Sequence, residues 1–288
     1  MLPIRAVTAP AQSSFAGGAS CATSSVPLGI DARLSDTPPP DPCQNRPMSH
    51  ADTHQLPLDP HDFLAIDGLL DDQEKLIRST VREWVDNEIQ PHVADWFEAG
   101  EIPTAELGRQ MGEMGLMGMH LEGYGCAGTS AVEYGLAAME LEAADSGIRS
   151  FMSVQGSLAM FPIWQYGSDE QKEQWLPGMA KGELIGCFGL TEPDSGSDAA
   201  NMRTTARQEA SGDWVLNGTK MWITNGNVAD VAVIWARADD GTIRGFVVPT
   251  DTPGFTANKI DRKLSLRASV TSELVLEDVR LPADAVLP

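Results

Sequence analysis

The chain has 288 residues, 42% hydrophobic and 21% charged, with 41 acidic against 20 basic side chains and a formal net charge of −21. That length can bury a sizeable core in one or two domains, and the acidity argues against a nucleic-acid ligand. No uninterrupted apolar run reaches the roughly 18 residues that span a bilayer. Cys21, Cys43, Cys126 and Cys187 contain no CxxC pair and the five histidines are scattered, so reduced thiols are expected rather than a zinc site.

Residues 1–60 are rich in Ala, Ser, Thr and Pro and carry neither helical nor strand periodicity; a disordered N-terminal extension is expected. A true start at Met48 in a cytoplasmic protein is expected; the acid-poor beginning leaves a targeting leader to the mitochondrial matrix as the alternative.

From Asp71 a helical period is clear. Asp71 and Asp72 can cap, and Ile77, Val81, Trp84, Val85 and Ile89 form one apolar stripe that Pro91 should bend or end. Further helices are predicted over about 105–114, 131–144, 151–166 and 170–179, the last opened by a capping box of Ser168 with Gln171.

Strand-like segments take over after Gly182. Residues 186–190 form a short apolar run, and Asn217-Gly218 sits between two strand-like stretches as a hairpin signal. Residues 231–236 and 243–248 flank Asp240-Gly241, and 272–279 alternates. The expected fold is α+β: a helical domain over 61–182, then an antiparallel, barrel-like β domain over 183–288.

Gly123-Tyr-Gly-Cys-Ala-Gly128 fits GxGxxG, but helical segments lie on both sides and no βαβ unit surrounds it. It reads as a glycine-rich helix connection.

The stretch Gly189-Leu-Thr-Glu-Pro-Asp-Ser-Gly-Ser-Asp198 is dense in amides and hydroxyls that can approach an anion, yet holds three carboxylates and no Lys or Arg. With Lys220-Met-Trp-Ile-Thr-Asn225 following at the right spacing, it resembles the signature of the acyl-CoA dehydrogenases. The resemblance covers about residues 69–288 and implies FAD as cofactor. It implies that Phe188, Gly189, Leu190 and Thr191 line the isoalloxazine, with Gly196 and Ser197 near phosphate-bearing parts of FAD or CoA. Trp222, Ile223 and Thr224 would stack on the flavin and reach its reactive edge. Glu192 and Asp198 are expected to brace the loop instead of touching ligand.

Asp145-Ser-Gly-Ile-Arg-Ser150 is the second informative stretch. Arg149 adjoins a mostly uncharged helix, where a guanidinium suits a planar substrate carboxylate, and Glu142, seven residues earlier, could orient it. The pair Arg149-Ser150 and the run Leu264-Ser265-Leu266-Arg267-Ala268-Ser269 are similar to the glutaryl-CoA dehydrogenase branch, although Ile148 stands where that branch has an aromatic. On that resemblance Arg149 and Ser150 bind the distal carboxylate, while Leu264, Ser265, Leu266, Arg267, Ala268, Ser269, Val270 and Thr271, with Ser197, line the acyl-CoA channel.

The implied reaction is α,β-dehydrogenation of glutaryl-CoA, with decarboxylation to crotonyl-CoA, in lysine and tryptophan degradation. A homotetramer would pass electrons to an electron-transfer flavoprotein. The family's C-terminal helical bundle, which supplies the glutamate base, is expected beyond Pro288, so no catalytic residue is assigned and the chain alone is expected to be inactive. A short-chain monocarboxylic acyl-CoA dehydrogenase and a non-catalytic flavin- or acyl-CoA-binding remnant are the alternatives.

Overall fold

Asp71 opens the first helix through a capping box: its carboxylate accepts from Glu74 N, and Glu74 accepts from Asp71 N. The computed structural model describes residues 62–288. The expected disordered extension, Cys21, Cys43 and Met48 lie outside the described residues.

Helix α1 (Asp72–Trp84) buries Val81 and widens into a π-helical turn at Val85–Ile89, whose first and last residues complete the apolar stripe. The same face buries Arg78, which donates from Nε to Glu140 at 2.7 Å and pairs with Asp67. Arg82 also reaches Glu140. A short helix α2 (Val93–Ala99) follows Pro91, and α3 (Thr104–Glu113) and α4 (Ala131–Ala144) lie where their periodicity predicts.

The fourth expected helix begins five residues early. α5 (Ser146–Ser153) starts at Asp145, whose carboxylate accepts from Gly147 N at 2.7 Å. It continues through a π-helical segment (Val154–Met160) into α6 (Phe161–Tyr166). Gly147, a poor helix former, hid this start in the sequence. α7 (Asp169–Ala180) carries the expected Ser168–Gln171 capping box.

Backbone meets backbone where α3 passes the end of α7. A Cβ on Gly112 would overlap the carbonyl of Lys181, which has nowhere to move. Gly112→Ala should therefore destabilise the fold by about 2–3 kcal/mol, seen as a lower denaturant midpoint with an unchanged m value.

The described residues form a seven-stranded sheet: β1 (Gly186–Gly189), β2 (Thr205–Gln208), β3 (Trp214–Thr224), β4 (Val231–Ala238), β5 (Ile243–Pro249), β6 (Phe255–Lys259) and β7 (Thr271–Leu281). Their order is β1-β4-β2-β3-β7-β6, with β5 also on β4. The sheet is mixed: β4 runs parallel to β1 and, at its own end, to the start of β2, and the other pairings are antiparallel. Strand β4 is buried on both faces, so its alternation feeds two cores. Val231 and Val233 pack with Met160, Ile163 and Leu176 of the helices, while Ala232, Ile234 and Ala236 pack with Leu216, Leu274 and Phe246 inside the β half.

Asn217-Gly218 is not a turn. β3 runs straight through it, with a register shift against β7 between Leu216 and Gly218. Asn217 instead exchanges two hydrogen bonds with Asp278 across the sheet, at 3.1 and 2.9 Å. The β2–β3 hairpin turns earlier, around Ser211-Gly212.

Candidate functional site

The chain leaves β1 at Gly189 and makes a tight turn in which Glu192 and Ser195 exchange backbone hydrogen bonds of 3.0 and 3.2 Å. Ser195 Oγ donates to the Asp198 carbonyl and Asn201 to the Asp198 carboxylate. Glu192 is buried and points inward. Its carboxylate accepts from Arg203 N at 2.6 Å, from Thr204 N at 2.9 Å and from Lys220 Nζ at 2.8 Å. Both acids brace the loop. Burial alone would raise the Glu192 pKa, but the Arg203, Lys220 and Thr204 donors outweigh it and hold the carboxyl at about 2.

Lys220 is the residue that sequence reasoning passed over. It is fully enclosed, and its ammonium bonds the Leu190 carbonyl at 3.1 Å as well as Glu192. The available signal was an acid-rich loop lacking any base, with a lysine on a strand downstream.

Strict alternation would place Lys220, Trp222 and Thr224 on one face. A bulge prevents it: the β3–β7 register shifts between Lys220 and Ile223, and Trp222 takes a left-handed backbone with φ 64°. Lys220 and Ile223 both turn inward, and Trp222 is thrown outward, 61% exposed. The strained backbone thus holds a large aromatic out in solvent. Ile223 sits in the core, so only its backbone is left to meet a ligand: the bulge turned Trp222 out at its expense.

The two signature segments are joined directly. Met221 N donates to Thr191 O at 2.8 Å, beside Trp222. Thr191 N–H makes no hydrogen bond among the described residues, and Thr191, like Thr224, is half-buried. Phe188 is also half-buried, its ring 6.1 Å from that of Trp235, and Gly196 and Ser197 sit at the open end of the loop. An aromatic platform beside free amide and hydroxyl donors fits the stacked face and polar edge of a flavin.

The chain of contacts extends to the other expected segments. Asn225 N donates to Val270 O at 3.1 Å, tying the end of β3 to the 264–271 loop. That loop in turn meets α5: a Cβ on Gly147 would lie 2.7 Å from Ser269 N. Within the loop, Lys263 gathers the carbonyls of Leu266 and Ser269 and the Thr271 hydroxyl. Leu264 is 99% exposed, and Ser265 and Leu266 are exposed beside it. Ala268, Ser269, Val270 and Thr271 are buried as the base of the loop. Arg267 is likewise committed, donating to the carbonyls of Phe97 and Glu98 and stacking on the Phe97 ring at 5.3 Å.

Arg149 donates from Nε to Glu142 at 2.7 Å and from Nη1 to Ser153 Oγ at 3.1 Å. Hydrogen bonds from Ser146 and then Arg149 hold the Glu142 carboxyl below its ordinary range. The guanidinium is half-buried and fixed in direction, with Ser150 beside it on α5, half-buried as well. Cys187, enclosed in β1, has its thiol pushed up to about 12 by burial and is chemically quiet.

Residues 71–183 match the family model for the acyl-CoA dehydrogenase N-terminal domain, and residues 187–279 match that for the middle domain. The chain belongs to the acyl-CoA dehydrogenase family. A crystal structure of a glutaryl-CoA dehydrogenase from Mycobacterium smegmatis, in complex with FADH2, superposes with a TM-score of 0.77 at 66% identity, covering 80% of this chain and 58% of that one. The mouse mitochondrial short-chain specific acyl-CoA dehydrogenase is 40% identical over 76% of this chain. A Bacillus subtilis acyl-CoA dehydrogenase is 39% identical over 73%. The chain spans about half the length of these curated relatives, 54% and 56%.

Proposed function

We propose that this chain forms the flavin- and acyl-binding part of an FAD-dependent acyl-CoA dehydrogenase acting on glutaryl-CoA. The carrying observation is the bulge that exposes Trp222 while Met221 N grips Thr191 O. Bound FAD supplies a hydride acceptor. Around it, Trp222 offers a stacking face, Thr191 N–H and the Thr191 and Thr224 hydroxyls offer donors to its polar edge, and the enclosed β half excludes water from behind.

Arg149, aimed by Glu142, pairs with the distal carboxylate of the acyl chain, with Ser150 at its side. Leu264, Ser265 and Leu266 border the thioester channel. The 66% identity to the FADH2-bound glutaryl-CoA dehydrogenase supports this substrate over a monocarboxylic one. Glu192, Glu140 and Glu133 are each committed to internal donors, so none of these buried carboxylates is assigned as the α-proton acceptor. Decarboxylation, a tetrameric assembly and an electron-transfer flavoprotein as acceptor complete the proposal. Cytoplasm and mitochondrial matrix both suit it: among the described residues no helix is long and apolar enough to cross a membrane.

FAD titration tests the site. Wild-type protein should quench flavin fluorescence on binding, and Trp222→Ala should weaken that binding by about 1–2 kcal/mol, roughly 5- to 30-fold, with little change in melting temperature because the ring is exposed. Wild-type protein that takes up no flavin would overturn the reading. The short-chain alternative rests on the 40% identity to the mouse enzyme; tighter binding of butyryl-CoA than of glutaryl-CoA by the wild type would favour it.

A further inference from the structure

We propose that Lys220 acts as a positioning residue that aims and polarises the Leu190–Thr191 peptide, and so raises the reduction potential of the flavin held against Thr191. This inference rests on the flavin reading above and assigns a tuning element within the same site.

The geometry is that of a peptide locked at both ends. Lys220 Nζ, sealed from solvent, draws the Leu190 carbonyl inward at 3.1 Å, and Met221 N holds the Thr191 carbonyl at 2.8 Å. In a trans peptide the C=O and the following N–H point in opposite directions. With Leu190 O drawn toward the ammonium, Thr191 N–H is directed away from it, and no group among the described residues takes that hydrogen. It is a donor oriented before any ligand arrives.

Charge then adds to orientation. A cation on the carbonyl oxygen enlarges the peptide dipole and strengthens the N–H at its other end, and burial in low dielectric magnifies the effect. Glu192 keeps the ammonium in place, but two backbone amides share its carboxylate, so its negative charge is spread over three donors. Room for the lysine stem is made by Gly189, where a Cβ would lie 2.5 Å from Ile234 Cδ1 and 3.3 Å from Lys220 Cγ. A flavin taking up two electrons gathers negative charge at its pyrimidine edge, and a strengthened donor there favours the reduced form.

A bland role is also available to Lys220, namely neutralising Glu192. The two roles separate when charges are removed one at a time. Flavin-loaded wild type, Lys220→Gln, Glu192→Gln and the double variant should be compared by potentiometric titration of the bound flavin, with thermal melting alongside. Lys220→Gln should lower the preference for reduced over oxidised flavin about tenfold, or about 30 mV for a two-electron couple. Glu192→Gln, which leaves the ammonium uncompensated, should leave the potential unchanged or raise it, although it melts earlier. The double variant restores a neutral, hydrogen-bonded pair, recovers stability and should keep the lowered potential, so the test survives if a single variant fails to fold. Equal potentials in all four proteins would overturn the inference alone. Parallel falls in both single variants would assign Lys220 the bland role, and wild type without FAD would overturn the inference and the flavin reading together.

Discussion

Replacing Glu192 by alanine should cost the folded chain about 3–5 kcal/mol, because it leaves the Lys220 ammonium buried without a counter-charge and strips the Arg203 and Thr204 amides of their acceptor. Denaturant unfolding followed by circular dichroism reads this as a fall in midpoint. A change below about 1 kcal/mol would mean that the loop rearranges to solvate Lys220, and that Glu192 does not brace it. The same carboxylate sets an acid limit. Its folded pKa of about 2 lies below the ordinary 4.5, so ionisation favours the folded state. That contribution, about 3 kcal/mol, is fully present above pH 4.5 and is lost as the pH falls toward 2. Glu192→Ala should therefore flatten the dependence of stability on pH across that window.

Arg149→Ala should weaken the binding of glutaryl-CoA by roughly 10²-fold, about 2–3 kcal/mol, while leaving butyryl-CoA binding nearly unchanged. The asymmetry follows from the half-buried guanidinium, fixed by Glu142 and Ser153 before substrate arrives. Glu142→Gln should give a weaker version of the same selectivity loss, since the fork stays cationic but loses its orienting charge. Equal losses on both thioesters would assign Arg149 to shaping α5, and no loss on glutaryl-CoA would sink the dicarboxylate reading.

Features written in neighbouring residues were legible in the sequence. The caps at Asp71 and Ser168, the stripe from Val81 to Ile89 and the extent of α4 all follow from side chains three or four positions apart. So did the meeting of the two signature segments, since each is a contiguous string. What escaped depends on distance along the chain. Glu192 and Lys220 are 28 residues apart, and Arg78 and Glu140 are 62 apart; no local pattern announces either pair. Hairpin signals reveal antiparallel neighbours only, which hid the parallel β1–β4 pairing. Asn217-Gly218 misled for the same reason: Asn217 satisfies a strand that passes 61 residues later, so its turn-forming chemistry served a bulge. Buried positions in the 264–271 loop were equally unreadable, because the helices that cover them lie far upstream.

The 264–271 loop is moored at three points: to α2 by Arg267, to α5 where Gly147 admits Ser269, and to β3 through Asn225. A flap needs a free hinge, and this segment has none. Any shift at its Leu264–Leu266 crest must drag two helices and a strand with it, and the loop behaves as a fixed sill.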